Sequence, residues 1–162
     1  MSKQQAQTIQ QRFGFADDDL KTPEHDKIML WTDKQAADIV AQFRGPQARF
    51  EKVVWEKPVM SGKYIVGFID LAIVYSLEGQ RAKPAWDTSE PEIIRFNRLI
   101  CVEVKSSIPS ASELIRQIQM YQEYQSGTYV VVSPDARCAD VLKSQGIEFY
   151  HYRAAPYEEA MK

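Results

Sequence analysis

The sequence predicts an α/β protein, a mixed central β-sheet with helices on both faces. Three observations predict it. Residues 50–75 change from helical to strand character around a Ser61-Gly62-Lys63 turn, the pattern of an antiparallel hairpin. Later in the chain, strands alternate with helical segments, which implies parallel pairs. Between these regions, Tyr64 to Tyr75 (YIVGFIDLAIVY) is apolar on both faces and rich in β-branched residues, as a central covered strand must be.

The elements follow in order. Thr22-Pro23-Glu24 opens the first helix, because Thr caps a helix start well and Pro is favoured at the first helical position. Thr32 with Gln35 repeats a capping pattern. Ala36, Ile39, Val40 and Phe43 then recur at helical spacing, giving one kinked helix or two short ones, stopped by Gly45-Pro46. Phe50 to Lys57 is the first strand and Tyr64 to Tyr75 the second. Residues 79–97 hold two prolines and mixed charge without a period, which predicts a long loop insertion. Arg98 to Lys105 (RLICVEVK) is the third strand. Ser110-Ala111-Ser112-Glu113 is a capping box that opens a helix to about Tyr124, and Gly127 ends it. Thr128 to Ser133 is a strand, Pro134 to Ser144 a short helix, and Ile147 to Tyr152 the last strand. The resulting order is α, β, β, β, α, β, α, β.

Length and composition agree with a single domain. The chain has 162 residues, enough for a core that needs no disulfide or metal staple. It is 44% apolar and 26% charged, as soluble globular proteins are. The expected division is a flexible polar arm over 1–21, ending in Asp17-Asp18-Asp19, a domain over 22–152 and a polar tail over 153–162. No run approaches about 18 apolar residues, so no membrane span is expected, and the polar start has no secretory h-region. With 20 basic and 22 acidic residues the net charge is −2, which excludes a basic nucleic-acid sponge but not a local basic patch. Cys101 and Cys138 form neither a CxxC nor a zinc spacing, and Cys101 lies in an apolar run; a reducing, cytoplasmic setting is expected.

Two anomalies carry the chemistry. Asp70 sits inside the apolar second strand, where period-two alternation gives it the face of Val66, Phe68, Ala72 and Val74. An unpartnered carboxylate there costs several kcal/mol, so it needs a partner, a proton or a metal. In the third strand, Glu103 and Lys105 alternate with Val102 and Val104 and project from one face, roughly 6.6 Å apart along the strand. Taken singly, each has a plain structural explanation: an Asp bonded to backbone or to an Arg, and a strand end whose Glu103 and Lys105 face solvent or pair with each other. Together they put two carboxylates and an ammonium on one patch. A hard divalent cation resolves the repulsion of two carboxylates, and the Val104 carbonyl offers a third oxygen. Lys105 beside them would stabilise charge on a phosphate or activate water, the toolkit of phosphodiester hydrolysis.

These residues bring out a resemblance. Gly67-Phe68-Ile69-Asp70 followed by Val102-Glu103-Val104-Lys105 resembles the motif of the PD-(D/E)xK nuclease superfamily. Gln117-Ile118-Gln119-Met120-Tyr121 on the next helix resembles the QxxxY motif of its RecB-like and Cas4-like branch. The resemblance covers about residues 23–133 and implies a restriction-endonuclease-like αβββαβ core. It implies a Mg²⁺- or Mn²⁺-dependent nuclease acting mostly on DNA, with Asp70, Glu103 and the Val104 carbonyl as ligands and Lys105 as the catalytic ammonium. Gln117 and Tyr121 would position substrate. Two departures stand out. Ile69 replaces the proline of the family name. The upstream Glu or His that completes the metal site falls on Glu24-His25-Asp26, with His25 or Glu24 as the ligand, or His25 as an exposed residue near the helix cap. Glu56 is a further candidate. Lys57, Lys63, Arg95, Arg98 and Arg116 are candidates for a phosphate-tracking surface. The alternatives are a binding or assembly module of the same fold with little cleavage, and an RNA endonuclease.

Overall fold

The structure is a computed structural model that describes residues 22–154. The N-terminal arm, with its acidic run, and residues 155–162 of the tail lie outside the described residues. In chain order the elements are α1 (Pro23–Lys34), α2 (Ala36–Arg44), β1 (Arg49–Ser61), β2 (Tyr64–Gln80), β3 (Ile93–Val104), α3 (Ala111–Tyr124), β4 (Thr128–Ser133), α4 (Ala139–Ser144) and β5 (Glu148–His151). The strands form one five-stranded sheet in the order β1-β2-β3-β4-β5. The pairs β1/β2 and β2/β3 are antiparallel; β3/β4 and β4/β5 are parallel. This is the mixed sheet the sequence predicts. Among the described residues no helix is long and apolar enough to cross a membrane.

Each face of the sheet has its own core. Ile28, Met29, Ile39 and Val40 of α1 and α2 pack on Leu71, Ile73, Ile100, Val102 and Val130. On the opposite face, Leu114, Ile118 and Tyr121 of α3 and Leu142 of α4 pack on Ile69, Cys101 and Val131. Alternation in β3 and β4 feeds both faces in turn, which is why these strands are apolar throughout. Burial pushes the Cys101 thiol up to about 11, so it stays protonated as a core residue; both cysteines are free.

Three local expectations change. The α1–α2 junction does not use the Thr32/Gln35 cap. Thr32 Oγ1 instead donates to the Ile28 carbonyl at 2.7 Å within α1, and Gln35 alone (φ −91°, ψ 2°) joins the helices. The insertion expected over 79–97 is shorter than that, because both of its ends are strand. β2 and β3 stay paired out to Gln80↔Ile93, leaving residues 81–92 as the connection. Glu78 and Arg95 face each other in that ladder with Nη2–Oε1 at 2.7 Å, so Arg95, counted in the expected loop, belongs to a cross-strand ion pair. The helix expected from Pro134 begins only at Ala139.

Residues 134–138 do something else. Asp135 Oδ2 accepts the Ile108 N–H at 3.1 Å and Arg137 Nη2 at 2.7 Å, while Oδ1 accepts Arg137 Nε at 2.8 Å. The carboxylate thereby ties the β4–α4 loop to the β3–α3 loop, two residues before Ser110, whose hydroxyl caps α3 by accepting Glu113 N–H. Arg137, and after it the Ile108 N–H, hold the Asp135 carboxyl well below the usual carboxylate range. A depressed folded-state pKa contributes stability that is present above the unfolded value, about 3.9, and is lost as pH falls through the folded one. Asp135→Asn therefore lowers the melting temperature at pH 7, and the deficit narrows below about pH 4. Thermal unfolding at pH 7, 5 and 3 checks this; a deficit independent of pH would assign the loss to packing instead.

Candidate active site

The site forms where the β2–β3 ladder stops. Its last paired residues are Leu71 and Val102. One step further, Asp70 replaces a strand carbonyl: its Oδ2 accepts the Val104 N–H at 2.8 Å. A carboxylate accepting a backbone N–H makes a charge-assisted bond, stronger than the amide bond it replaces. The regular alternation assigned to β2 also breaks here. Ile69 packs under α3, whereas Leu71, two residues on, packs under α1 and α2. The register Trp55↔Leu71 and Lys57↔Ile69 puts Glu56 opposite Asp70, and Glu56 has φ +49°. Such a backbone is costly for a residue with a Cβ. The two strands thus turn over together at one level, and Asp70 does not share a continuous face with Val66, Phe68, Ala72 and Val74.

Glu103 is held from two sides. Lys105 Nζ lies 3.6 Å from its Oε1, and Gln117 Nε2 donates to the same oxygen at 3.3 Å. Both Glu103 and Gln117 are buried. Lys105 keeps its place through its own N–H, which donates to the Val132 carbonyl at 2.9 Å.

Gln117 and Tyr121, expected to position substrate, lie against Glu103 and against each other. Tyr121 is fully buried, and its hydroxyl lies 3.3 Å from Gln117 Nε2. Burial first, then the neighbouring Glu103, pushes its pKa well above the ordinary tyrosine value. It stays neutral and packs against protein. The pair acts on the carboxylate: Tyr121 fixes Gln117, and Gln117 fixes Glu103. Helical spacing showed that the two share a face but could not show how deeply that face is sunk. Gly67 sets the depth. A Cβ on it would lie 2.5 Å from Tyr121 Cε1 and 2.7 Å from the hydroxyl oxygen. This steric role was missed; a glycine in mid-strand, which marks a close approach, was the available signal. The Asp135 clasp was missed too, although Ser133-Pro134-Asp135 directly after a strand is a turn signature.

The first helix contributes His25. The Thr22 hydroxyl accepts the His25 N–H at 3.2 Å, so the cap that starts α1 also places this residue. His25 is buried, which removes the alternative of an exposed residue near the cap, and its Nε2 lies 3.5 Å from Asp70 Oδ2 while Nδ1 lies 3.9 Å from Asp26 Oδ1. Glu24 and Glu56 are exposed. Of the basic residues, Arg95 and Arg98 lie along the outer β2–β3 ladder, away from the site. Arg95 is eight β2 positions from Asp70 through its partner Glu78, about 27 Å at strand rise, and Arg98 stacks on Phe96 at 4.8 Å. Lys57 and Lys63 belong to the hairpin beside the site.

The donor set suits a hard cation. Asp70 Oδ2 meets the Val104 N–H, Glu103 is the next residue along β3, and the Val104 carbonyl would be a third oxygen donor. Among the described residues no three His, Cys, Asp or Glu side chains form a ready cage. Mg²⁺ does not ask for one, since it takes one or two carboxylates and keeps several waters. An imidazole beside Asp70 suits Mn²⁺ better than Mg²⁺.

Fold and site together define an α/β protein with a five-stranded mixed sheet that carries an Asp, Glu and Lys cluster at the break of its antiparallel ladder. Comparison with protein-family models, with curated proteins and with solved structures finds no match to the chain.

Gly67→Ala should destabilise the fold by about 1–3 kcal/mol, because the added methyl meets a side chain with nowhere to move. With Tyr121→Ala the two losses should fall clearly short of additive. Urea unfolding of the four proteins checks this; additive losses would separate Gly67 from Tyr121.

Proposed function

We propose that this chain is a divalent-cation-dependent nuclease of the PD-(D/E)xK type that hydrolyses DNA phosphodiester bonds. The observation that carries the reading is the 2.8 Å bond from Val104 N–H to Asp70 Oδ2, which fastens a carboxylate of one strand between Glu103 and Lys105 of the next. The order of α1 and α2, β1 to β3, α3 and β4 supports the reading, since it matches the αβββαβ core of that superfamily. The satisfied surroundings of Glu103 support it as well. A ligating carboxylate is itself held by hydrogen bonds, and Gln117 supplies one to Glu103.

In this reading Asp70, Glu103 and the Val104 carbonyl hold Mg²⁺ or Mn²⁺, with His25 at the side of Asp70. Bound there, the ion supplies Lewis acidity toward a phosphate oxygen and a water molecule. The remaining work belongs to the chain. Lys105 stands next to Glu103 and presents an ammonium to the phosphate, where charge grows as the P–O bond breaks. Gln117 and Tyr121 keep Glu103 from rotating, and a misplacement of about 1 Å in such a site costs roughly a hundredfold in rate.

Cleavage of supercoiled, linear, single-stranded and branched DNA and of RNA, each with Mg²⁺, Mn²⁺ or EDTA, tests the reading. Activity should require the cation and favour DNA. Undiminished cleavage in excess EDTA would reject it, and binding without cleavage under every condition would return the fold to a binding module. Asp70→Asn and Glu103→Gln should abolish cleavage and remove the rise in melting temperature that Mn²⁺ gives the wild type. Lys105→Ala should abolish cleavage but keep that rise. Loss of the rise in Lys105→Ala would show that its role is misassigned.

A further inference from the structure

The hairpin of β1 and β2 outruns the rest of the sheet. β3 leaves β2 at Leu71, but β1 and β2 continue as a two-stranded ribbon from Lys57↔Ile69 to Ser61↔Tyr64, closed by Gly62 at φ +59°. This ribbon begins at the level of Asp70 and reaches about 20 Å beyond it at strand rise. Its composition is one-sided. Residues 57–69 (KPVMSGKYIVGFI) contain Lys57 and Lys63 and no carboxylate, in a chain of net charge −2. Its tip is also apolar and exposed: Tyr64 is 73% exposed, Ile65 44% and Met60 42%.

The register fixes which way the ribbon faces. Lys57 pairs with Ile69, which packs on the α3 side, so Lys57 lies on the face that carries Glu103. Val59 also packs on that side; alternation along β1 then gives the same face to Ser61 and to its partner Tyr64. Lys57 near the site and Tyr64 at the far end therefore share one face leading away from Asp70 and Glu103, with Lys63 next to Tyr64 in the closing turn. Ammonium groups interleaved with an exposed ring, without acidic side chains, match a single nucleic-acid strand, whose phosphates take the charge and whose unpaired bases stack on the ring.

Resting on the nuclease reading, we propose that the β1–β2 hairpin binds an unpaired nucleic-acid segment next to the scissile bond, with phosphates on Lys57 and Lys63 and a base stacked on Tyr64. The substrate is then a strand or end with unstacked nucleotides, since the bases of an intact duplex offer no face to Tyr64.

Fluorescence anisotropy with a labelled 20-nucleotide single-stranded DNA and a blunt duplex of the same sequence tests this, in EDTA so that binding is read apart from cleavage. Tyr64→Ala should weaken single-strand binding by about 5- to 100-fold, and Tyr64→Phe should restore it. On the duplex the Tyr64→Ala effect should stay within about twofold. Lys63→Ala should lower the slope of log affinity against log salt by about 0.7 on the single strand. These side chains are at an exposed tip, so melting temperatures should match the wild type. Single-strand binding by Tyr64→Ala equal to wild type, or an equal loss on the duplex, would overturn the proposal. Wild-type protein that cleaves DNA with Mn²⁺ while these variants bind normally would overturn this inference and leave the nuclease reading standing. Binding that depends on Tyr64 and Lys63 in a protein that never cleaves would do the reverse.

Discussion

Everything distinctive in this structure depends on a carboxylate that takes the place of a strand carbonyl. Asp70 Oδ2 accepts the Val104 N–H, so the β2–β3 ladder ends at Leu71↔Val102 without leaving that donor unsatisfied. An unpaired buried amide costs about 1–3 kcal/mol, and an unpaired buried carboxylate costs more. Each group solves the other's problem, and the shared solution fixes where the strands part. Beyond that point β2 runs on with β1 alone, and β3 keeps only its parallel neighbour β4.

The consequences spread outward from the break. Glu56, opposite Asp70, takes a left-handed backbone, and residues on the two sides of that level face different helices. α1 brings His25 to Asp70 from one face. α3 brings Gln117 to Glu103 from the other, at a depth that only a glycine at position 67 permits. The Asp135 clasp on Ile108 then holds the segment that joins Lys105 to α3. A polar group in this cluster is expensive to orphan, since removing one member of a buried charged pair costs about 3–5 kcal/mol. The cluster is therefore a rigid object, as a site that must hold reacting groups in register has to be.

Much of this was legible in the sequence. The order of elements followed from periodicity and from the Thr22 and Ser110 caps, both of which are used. Asp70, Glu103 and Lys105 stood out because charge in an apolar strand is costly, and that argument is local. What could not be seen depends on long-range contact. The strand ends at 79–80 and 93–97 read as loop because Arg95 looks like surface charge until it is paired with Glu78, seventeen positions away. The burial of His25 depends on how α1 lies against the sheet. The depth of Tyr121 was not legible because its spacing gives a direction on the helix but not the distance to β2. The reversal of faces at Asp70 has one local sign, the left-handed Glu56, and a glutamate gives no hint of that in sequence.

The account's central claim is that two carboxylates from separate strands form one cation site. The most direct measurement is a Mn²⁺ titration of the ¹⁵N-labelled protein followed by NMR, because a paramagnetic ion broadens the amides nearest to it. Selective broadening at Asp70, Glu103, Val104 and Lys105, with His25 and Gln117 close behind, is the predicted result. Broadening centred elsewhere, on Glu78 and Glu92 of the outer β2–β3 arm for example, or spread evenly over the acidic surface, would contradict it.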